Sequence, residues 1–200
     1  MKVTVVKGSA RKKGNSNDIV NAFCEGLAEG TEVKTYEMQS LKVSGCIGCM
    51  ICKTKLERCA IKDELSGVYD DVHESDVVVL STPVYFGDVN AQTKIFIDRL
   101  YHLFTPDFHE GIDENGNAQP DPRYSRLKRG TKLVFIVAQG SPYEAKYADV
   151  SERYELFFRF LGFEEVHVIR GIGDPAYRPD DNNAQDAFAR ARALGQEFCL

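Results

Sequence analysis

Four of the six cysteines follow one another as Cys46-x2-Cys49-x2-Cys52-x6-Cys59. Thiolates spaced this closely let one short loop wrap a small inorganic cube, and a fourth thiolate closes it, which is how compact 4Fe–4S sites are built. Gly45 and Gly48 permit the tight backbone turns such a loop needs. Structural zinc sites usually draw on two separated Cys-x2-Cys pairs. A cluster, a zinc ion, and free or disulfide-forming thiols therefore stand as three readings of Cys46, Cys49, Cys52 and Cys59. The other two cysteines, Cys24 and Cys199, have no partner in sequence and read as small apolar fillers.

A second chemistry-bearing stretch is Gly8-Ser9-Ala10-Arg11-Lys12-Lys13-Gly14-Asn15-Ser16-Asn17. It supplies hydroxyls, amides, two glycines and three cations, and it opens into a helical pattern whose free N–H groups and positive dipole end suit a phosphate. The chain has neither Gly-x-Gly-x-x-Gly nor Gly-Lys-Ser/Thr, so a dinucleotide fingerprint and a triphosphate loop are both missing, and a compact monoester fits better. Ser81-Thr82-Pro83-Val84-Tyr85-Phe86-Gly87-Asp88 reads as a rigid loop bearing two aromatics, suited to a flat ring. Gln139-Gly140-Ser141-Pro142 offers a third wall. His73, His102, His109 and His167 are scattered, with no Cys–His or Ser–His–Asp constellation, so hydrolysis has no support.

These segments need elements to position them. Val3 to Lys7 reads as a strand, Asp18 to Leu27 as a helix with Ile19, Val20, Phe23 and Leu27 on one face and Asn15 to Asn17 as caps, and Glu32 to Tyr36 as a second strand. Val77 to Leu80 is a continuous apolar run, as in a strand buried on both faces. Ala91 to Phe104 reads as a helix and Leu133 to Ala138 as a buried strand. Tyr143, Tyr147, Val150, Tyr154, Phe157 and Leu161 imply a further helix, Val166 to Ile169 a fifth strand, and Ala184, Ala187, Phe188, Ala191, Leu194 and Phe198 a closing helix. Alternating strands and helices predict a doubly wound α/β sandwich, a five-stranded parallel sheet of order 2-1-3-4-5 with helices on both faces. Ligands then sit beyond the carboxyl ends of the strands, where the three loops lie. Residues 105–130 break the rhythm. An insertion of that length is either a surface excursion, with a small hairpin near Asn115-Gly116, or a lid or subunit contact.

The 200-residue chain fits a single domain able to bury a sizeable core, with 43% apolar and 28% charged residues. Its net charge of −5 and the lack of a basic stripe argue against nucleic acid as a partner. No apolar run approaches the roughly 20 residues that span a bilayer, and no export signal precedes the first strand, so no membrane association is expected and a cytoplasmic setting is. In such a setting the clustered cysteines point to metal or redox work rather than a disulfide framework.

Gly8-Ser9-Ala10-Arg11, Gly14-Asn15-Ser16, Thr82-Pro83-Val84-Tyr85, Lys94 and Asp98-Arg99 together resemble the NADPH-dependent FMN reductase family of the flavodoxin-like superfamily, over roughly residues 1 to 104. The resemblance implies that Ser9, Arg11, Asn15, Ser16 and Asn17 hold the FMN phosphate. It implies that Pro83, Val84, Tyr85, Phe86 and Gly87 hold the ring and ribityl chain, with Gln139, Gly140 and Ser141 nearby, while Lys94 and Arg99 are structural. The cysteine spacing resembles the iron–sulfur flavoprotein branch, which implies a 4Fe–4S cluster near the flavin. The expected function is an FMN-dependent oxidoreductase, with NAD(P)H or a redox protein as donor and a small molecule or redox protein as acceptor. Its rivals are an iron–sulfur electron carrier and a non-catalytic flavin-binding regulatory module. No side chain need act as an acid or base, since the flavin carries the chemistry. A homodimer or homotetramer is expected.

Overall fold

A computed structural model describes residues 1–115, 121–173 and 182–199. The elements run β1 (Lys2–Lys7), α1 (Asn15–Gly26), β2 (Glu32–Glu37), α2 (Ile51–Thr54), α3 (Leu65–Glu74), β3 (Val77–Tyr85), β4 (Asp88–Val89), α4 (Ala91–Arg99), β5 (Lys132–Gln139), α5 (Ala148–Leu161), β6 (Glu165–Ile172) and α6 (Asn182–Glu197). The main sheet is parallel in the order β2-β1-β3-β5-β6, and the short β4 pairs antiparallel with β3. The predicted 2-1-3-4-5 winding is therefore present, and the strand count corrects from five to six.

The sheet divides the core into two clusters. Val3, Val5, Val77, Val79, Val134, Ile136 and Ile169 pack with α1 and α6, and Val6, Val78, Leu80, Phe135 and Val137 pack with α3, α4 and α5. Strands β3 and β5 send apolar side chains to both faces, so their sequences are unbroken apolar runs. Phe135 packs with ring centroids 5.2 Å from Phe158 and 6.0 Å from Tyr154. Its burial contributes roughly 1.5–3 kcal/mol. Gly26 and Gly195 let α1 and α6 touch backbone to backbone, since a Cβ on Gly26 would lie 2.2 Å from the Arg192 carbonyl oxygen.

Several boundaries differ from expectation. Helix α1 begins at Asn15, with Gly14 at the N-cap position and no side-chain cap, so Asn15, Ser16 and Asn17 form its first turn rather than precede it. Strand β3 continues through Pro83 to Tyr85. Its β1 neighbour ends at the Lys7–Ser81 pair, so proline's missing N–H removes no bond on that side. The predicted loop is thus the end of a strand plus a tight hairpin, in which Phe86 and Gly87 take φ of 51° and 86°. Helix α4 stops at Arg99 and tightens into a 3-10 turn over Leu100–Leu103. Helix α5 starts at Ala148, leaving Tyr143 outside it, and Phe157 is exposed. Helix α3, with Leu65, Val68, Tyr69 and Val72 buried, falls where the sequence reading assigns no element. Cys199 is exposed rather than a filler, and its sulfur accepts from the Ala28 amide at 2.9 Å. Gly116 of the expected hairpin and the side chain of Ala184 lie outside the described residues. The described stretch 121–130 is tied down by a Phe104–Ser125 bridge and by buried Tyr124 and Leu127.

Candidate functional site

The carboxyl ends of β1, β3, β5 and β6 open onto a cavity of about 200 Å³ lined by Ser9, Arg11, Asn15, Ser16, Pro83, Val84, Tyr85, Gln139 and Gly140 from the predicted set. Gly14, Ala138 and Gly173 line it too, beyond that set. Asn17, Phe86, Gly87 and Ser141 are not on its wall. The Asn17 amide instead donates to the carbonyls of Arg11 and Lys12 at 2.8 and 3.3 Å and so holds the phosphate-type loop in shape. Phe86 stands fully in solvent at the hairpin tip. Ser141 accepts through its carbonyl from the Gln139 side chain at 3.0 Å.

The chemistry of the wall is that of an anion site. Gly14 has no side chain to cap α1, and among the described residues the first-turn amides of Asn15 and Ser16 have no partner, whereas those of Asn17 and Asp18 reach the Gly14 carbonyl. The Arg11 guanidinium makes no ion pair among the described residues. The Asn15 Oδ1 is buried and unpartnered, while its Nδ2 donates to the Gly173 carbonyl at 3.1 Å. Free N–H groups, a helix dipole and a free guanidinium at one spot fit a phosphate. The strand end at Pro83–Tyr85 and the wall at Ala138–Gly140 leave room beside it for a flat ring.

Two supporting groups were not foreseen. Asn90 is buried and ties the loops together. Its amide donates to the Gly8 carbonyl at 2.6 Å, and its oxygen accepts from the Thr93 amide, capping α4. Arg170 donates to Gln139 Oε1 at 2.9 Å and to the carbonyls of Glu144 and Lys146, so Gln139 is held on both its polar atoms. Asn90 sits as an N-cap at the start of α4, a signal present in the sequence. Nothing local marks Arg170.

The four cysteines of the second site share one cavity. Cys46, Cys49, Cys52 and Cys59 line one cavity of about 80 Å³, with Ile47, Met50, Ala60, Ile61 and Tyr101 as apolar wall. Among the described residues no three His, Cys, Asp or Glu side chains converge to hold a single metal ion. Both ends of the cysteine loop are gripped by Arg99, whose side chain is fully buried. It donates to the Ser44 carbonyl at 3.2 Å, to the Ile61 carbonyl at 3.1 Å and to Asp63 at 2.6 Å. Burial alone would raise the Asp63 carboxyl. The Arg99 guanidinium and the Ser44 and Leu65 amides override it and hold the pKa below the usual range. Lys94 pairs with Asp98 on the exposed face of α4. Arg99 thus has the structural role expected of it, while Lys94 stands in an exposed ion pair.

Beside this cavity His102 is buried. Its Nδ1 lies 2.7 Å from the Arg99 carbonyl, which makes Nδ1 the donor. Burial pushes its pKa down to about 4 from 6.5. The unfolded chain therefore takes up a proton that the folded chain refuses. His102 contributes stability above pH 6.5 that is lost as pH falls toward 4, up to about 3 kcal/mol. Urea unfolding of wild type and His102→Asn, which keeps a donor, is expected to show a shallower loss between pH 7 and 5 in the variant. Parallel curves would exclude His102 as the acid-sensitive group.

The family model described as NADPH-dependent FMN reductase matches residues 1–111. The chain belongs to the NADPH-dependent FMN reductase family. An iron-sulfur flavoprotein of Archaeoglobus fulgidus is 40% identical over 101 residues, covering 50% of this chain and 46% of the relative. The chain thus spans about half the length of the curated relatives it matches. An NAD(P)H:quinone oxidoreductase from Methanothermobacter marburgensis superposes with a TM-score of 0.71 at 16% identity, covering 99% of this chain and 96% of the other. An FMN-dependent NADH-azoreductase from Bacillus anthracis, solved in complex with FMN, superposes with a TM-score of 0.65 at 16% identity, covering 100% and 99%. At those identities the likeness establishes the flavodoxin-like fold. Among the described residues no helix is long and apolar enough to cross a membrane.

Proposed function

We propose that this member of the FMN reductase family is an FMN-dependent oxidoreductase of the NAD(P)H-linked flavin or quinone reductase type. One observation carries the proposal: the uncapped first turn of α1, the free Arg11 and the Pro83–Tyr85 strand end border a single cavity. Arg11, Ser9 and the amides of Asn15 and Ser16 would hold the phosphate, and Pro83, Val84, Tyr85 and Gly140 would border the ring. Bound FMN supplies hydride acceptance and electron release, chemistry that no side chain here provides. The protein's part would be to hold the ring beside Pro83, Val84 and Tyr85, with Tyr85 and the exposed Phe86 near the approach of a nicotinamide or an acceptor. Electron donor and acceptor, a homodimeric or homotetrameric state and a cytoplasmic setting belong to the same proposal.

Replacing Arg11 by alanine is expected to weaken FMN binding about 10–100-fold, the loss of one charge-assisted contact, and to leave riboflavin binding nearly unchanged. Fluorescence titration with both ligands reads this out. Equal losses for the two ligands would remove Arg11 from the phosphate.

A second reading concerns the cysteine cavity. Four thiols spread around one apolar-walled cavity suit a multi-iron cluster, whose ligands sit at separate corners, better than one zinc ion held at a point. The iron-sulfur flavoprotein relatives favour the same assignment to Cys46, Cys49, Cys52 and Cys59. A bound 4Fe–4S cluster would supply single-electron exchange.

A further inference from the structure

Arg99 lines the cysteine cavity, and two further cations, Lys53 and Arg126, stand behind its wall on the carbonyls of the lining residues Tyr101, Cys52 and His102; these two lack a carboxylate partner among the described residues. Lys53 follows Cys52 in the chain. Its Nζ lies 4.3 Å from the Tyr101 ring centroid and 5.8 Å from those of Phe104 and Phe108, and it donates to the Tyr101 and Phe104 carbonyls at 2.6 Å each. Arg126 donates through Nη1 to the carbonyls of Cys52, His102 and Phe104 at 3.2, 2.6 and 2.8 Å. The third, Arg99, is neutralised by Asp63, yet its Nε is buried and unpartnered. The carboxylate on the cavity wall, Asp98, pairs with Lys94.

Carbonyl dipoles and ring faces soften a buried cation without neutralising it, and a half-buried cation with no counter-ion is disfavoured. Two such cations behind the Cys52, Tyr101 and His102 side of a four-thiol cavity favour an anion in that cavity. A cluster held by four thiolates is a net anion when oxidised and more negative when reduced, whereas four neutral thiols leave the cations unopposed. Nearby positive charge stabilises the reduced state more than the oxidised one.

We infer that Lys53 and Arg126 are the counter-charges of a thiolate-ligated iron–sulfur cluster in the cysteine cavity and that they raise its midpoint potential. The inference rests on the cluster reading above. The step concerned is a one-electron reduction: an electron enters the cluster from a reductant such as dithionite, and no bond forms or breaks and no proton moves. Lys53 and Arg126 act as positioning charges and ligate nothing.

The test is anaerobic reconstitution of the full chain with iron and sulfide, followed by dithionite titration monitored by electron paramagnetic resonance. Wild type is compared with Lys53→Met, Lys53→Arg and Arg126→Gln, each checked by circular dichroism. Lys53→Met and Arg126→Gln are each expected to make reduction about tenfold less favourable, a shift of ~59 mV to lower potential for one electron. Lys53→Arg keeps the charge and is expected to stay near wild type. Unchanged potentials in both neutral variants, or a Lys53→Arg shift as large as that of Lys53→Met, would overturn the inference and leave the cluster standing. Wild type that takes up neither iron nor sulfide would overturn the cluster reading, and this inference with it.

Discussion

Arg99→Met is expected to destabilise the protein by about 3–5 kcal/mol, because removing one partner of a buried pair leaves the other charge without compensation. Arg99 is fully buried, and Asp63 is only 14% exposed. The same guanidinium bonds the Ser44 and Ile61 carbonyls, which flank the cysteine loop, so the variant also frees both ends of that loop. Its face stacks 5.6 Å from the Tyr69 ring centroid, which adds packing to the loss. Urea denaturation monitored by circular dichroism measures the change. Arg99→Met/Asp63→Asn is expected to recover part of it, because the second change removes the stranded carboxylate. A single-variant loss below about 1 kcal/mol would place the pair among surface ion pairs of little consequence.

Gly8→Ala is the second large effect, and it reaches the cavity proposed to hold the flavin. The Gly8 amide donates to the Ser81 carbonyl at 2.8 Å, and its carbonyl accepts from Asn90 at 2.6 Å. A Cβ there would lie 1.8 Å from Thr93 Oγ1 and 2.6 Å from the Ser81 carbonyl oxygen. Thr93 could turn away, but the Ser81 backbone cannot, so β1, β3 and α4 must separate at the edge where the cavity begins. The expected cost is about 1–3 kcal/mol of stability, with a parallel loss of FMN affinity as Ser9 and Arg11 move. Gly67 in α3 is the control. Nothing lies within 4 Å of a Cβ there, so Gly67→Ala is expected to be neutral or stabilising by up to about 1 kcal/mol. Equal behaviour of the two variants would contradict the close approach of Gly8 to β3.

The winding of the sheet was legible because each buried strand carries its burial on its surface. Val77–Leu80 and Leu133–Ala138 are apolar without a break, and a parallel sheet covered on both faces requires that. The edge strand β2 was legible by alternation, although five of its six residues are exposed and only Tyr36 is half-buried. The hairpin at Phe86-Gly87 was hidden by Pro83, which reads as a loop residue; whether β3 could pass through it depended on where β1 ended, a tertiary fact. Helix α3 has a clear helical face in Leu65, Val68, Tyr69 and Val72, obscured by the cysteine-rich stretch before it. Of the cavity wall, Ser9, Arg11, Asn15, Ser16, Pro83, Val84, Tyr85, Gln139 and Gly140 lie in segments that follow strands, and the family resemblance assigns them residue by residue. The resemblance assigns Asn17 with them, and the fold uses its amide for loop shape. Gly173 and Arg170 were not visible, because they reach the site only through the pairing of β6 with β5. The cations around the cysteines come from Lys53, Arg99 and Arg126, far apart in sequence, so no local pattern announces them.

The most direct measurement is retention of FMN. The purified chain is freed of ligand, mixed with equimolar FMN, passed through a desalting column and scanned for flavin absorbance and fluorescence. Stoichiometric flavin travelling with the protein, its fluorescence altered, is the expected result. Flavin that elutes wholly with the small molecules, from protein whose circular dichroism is that of a folded α/β chain, would contradict the cavity's assignment.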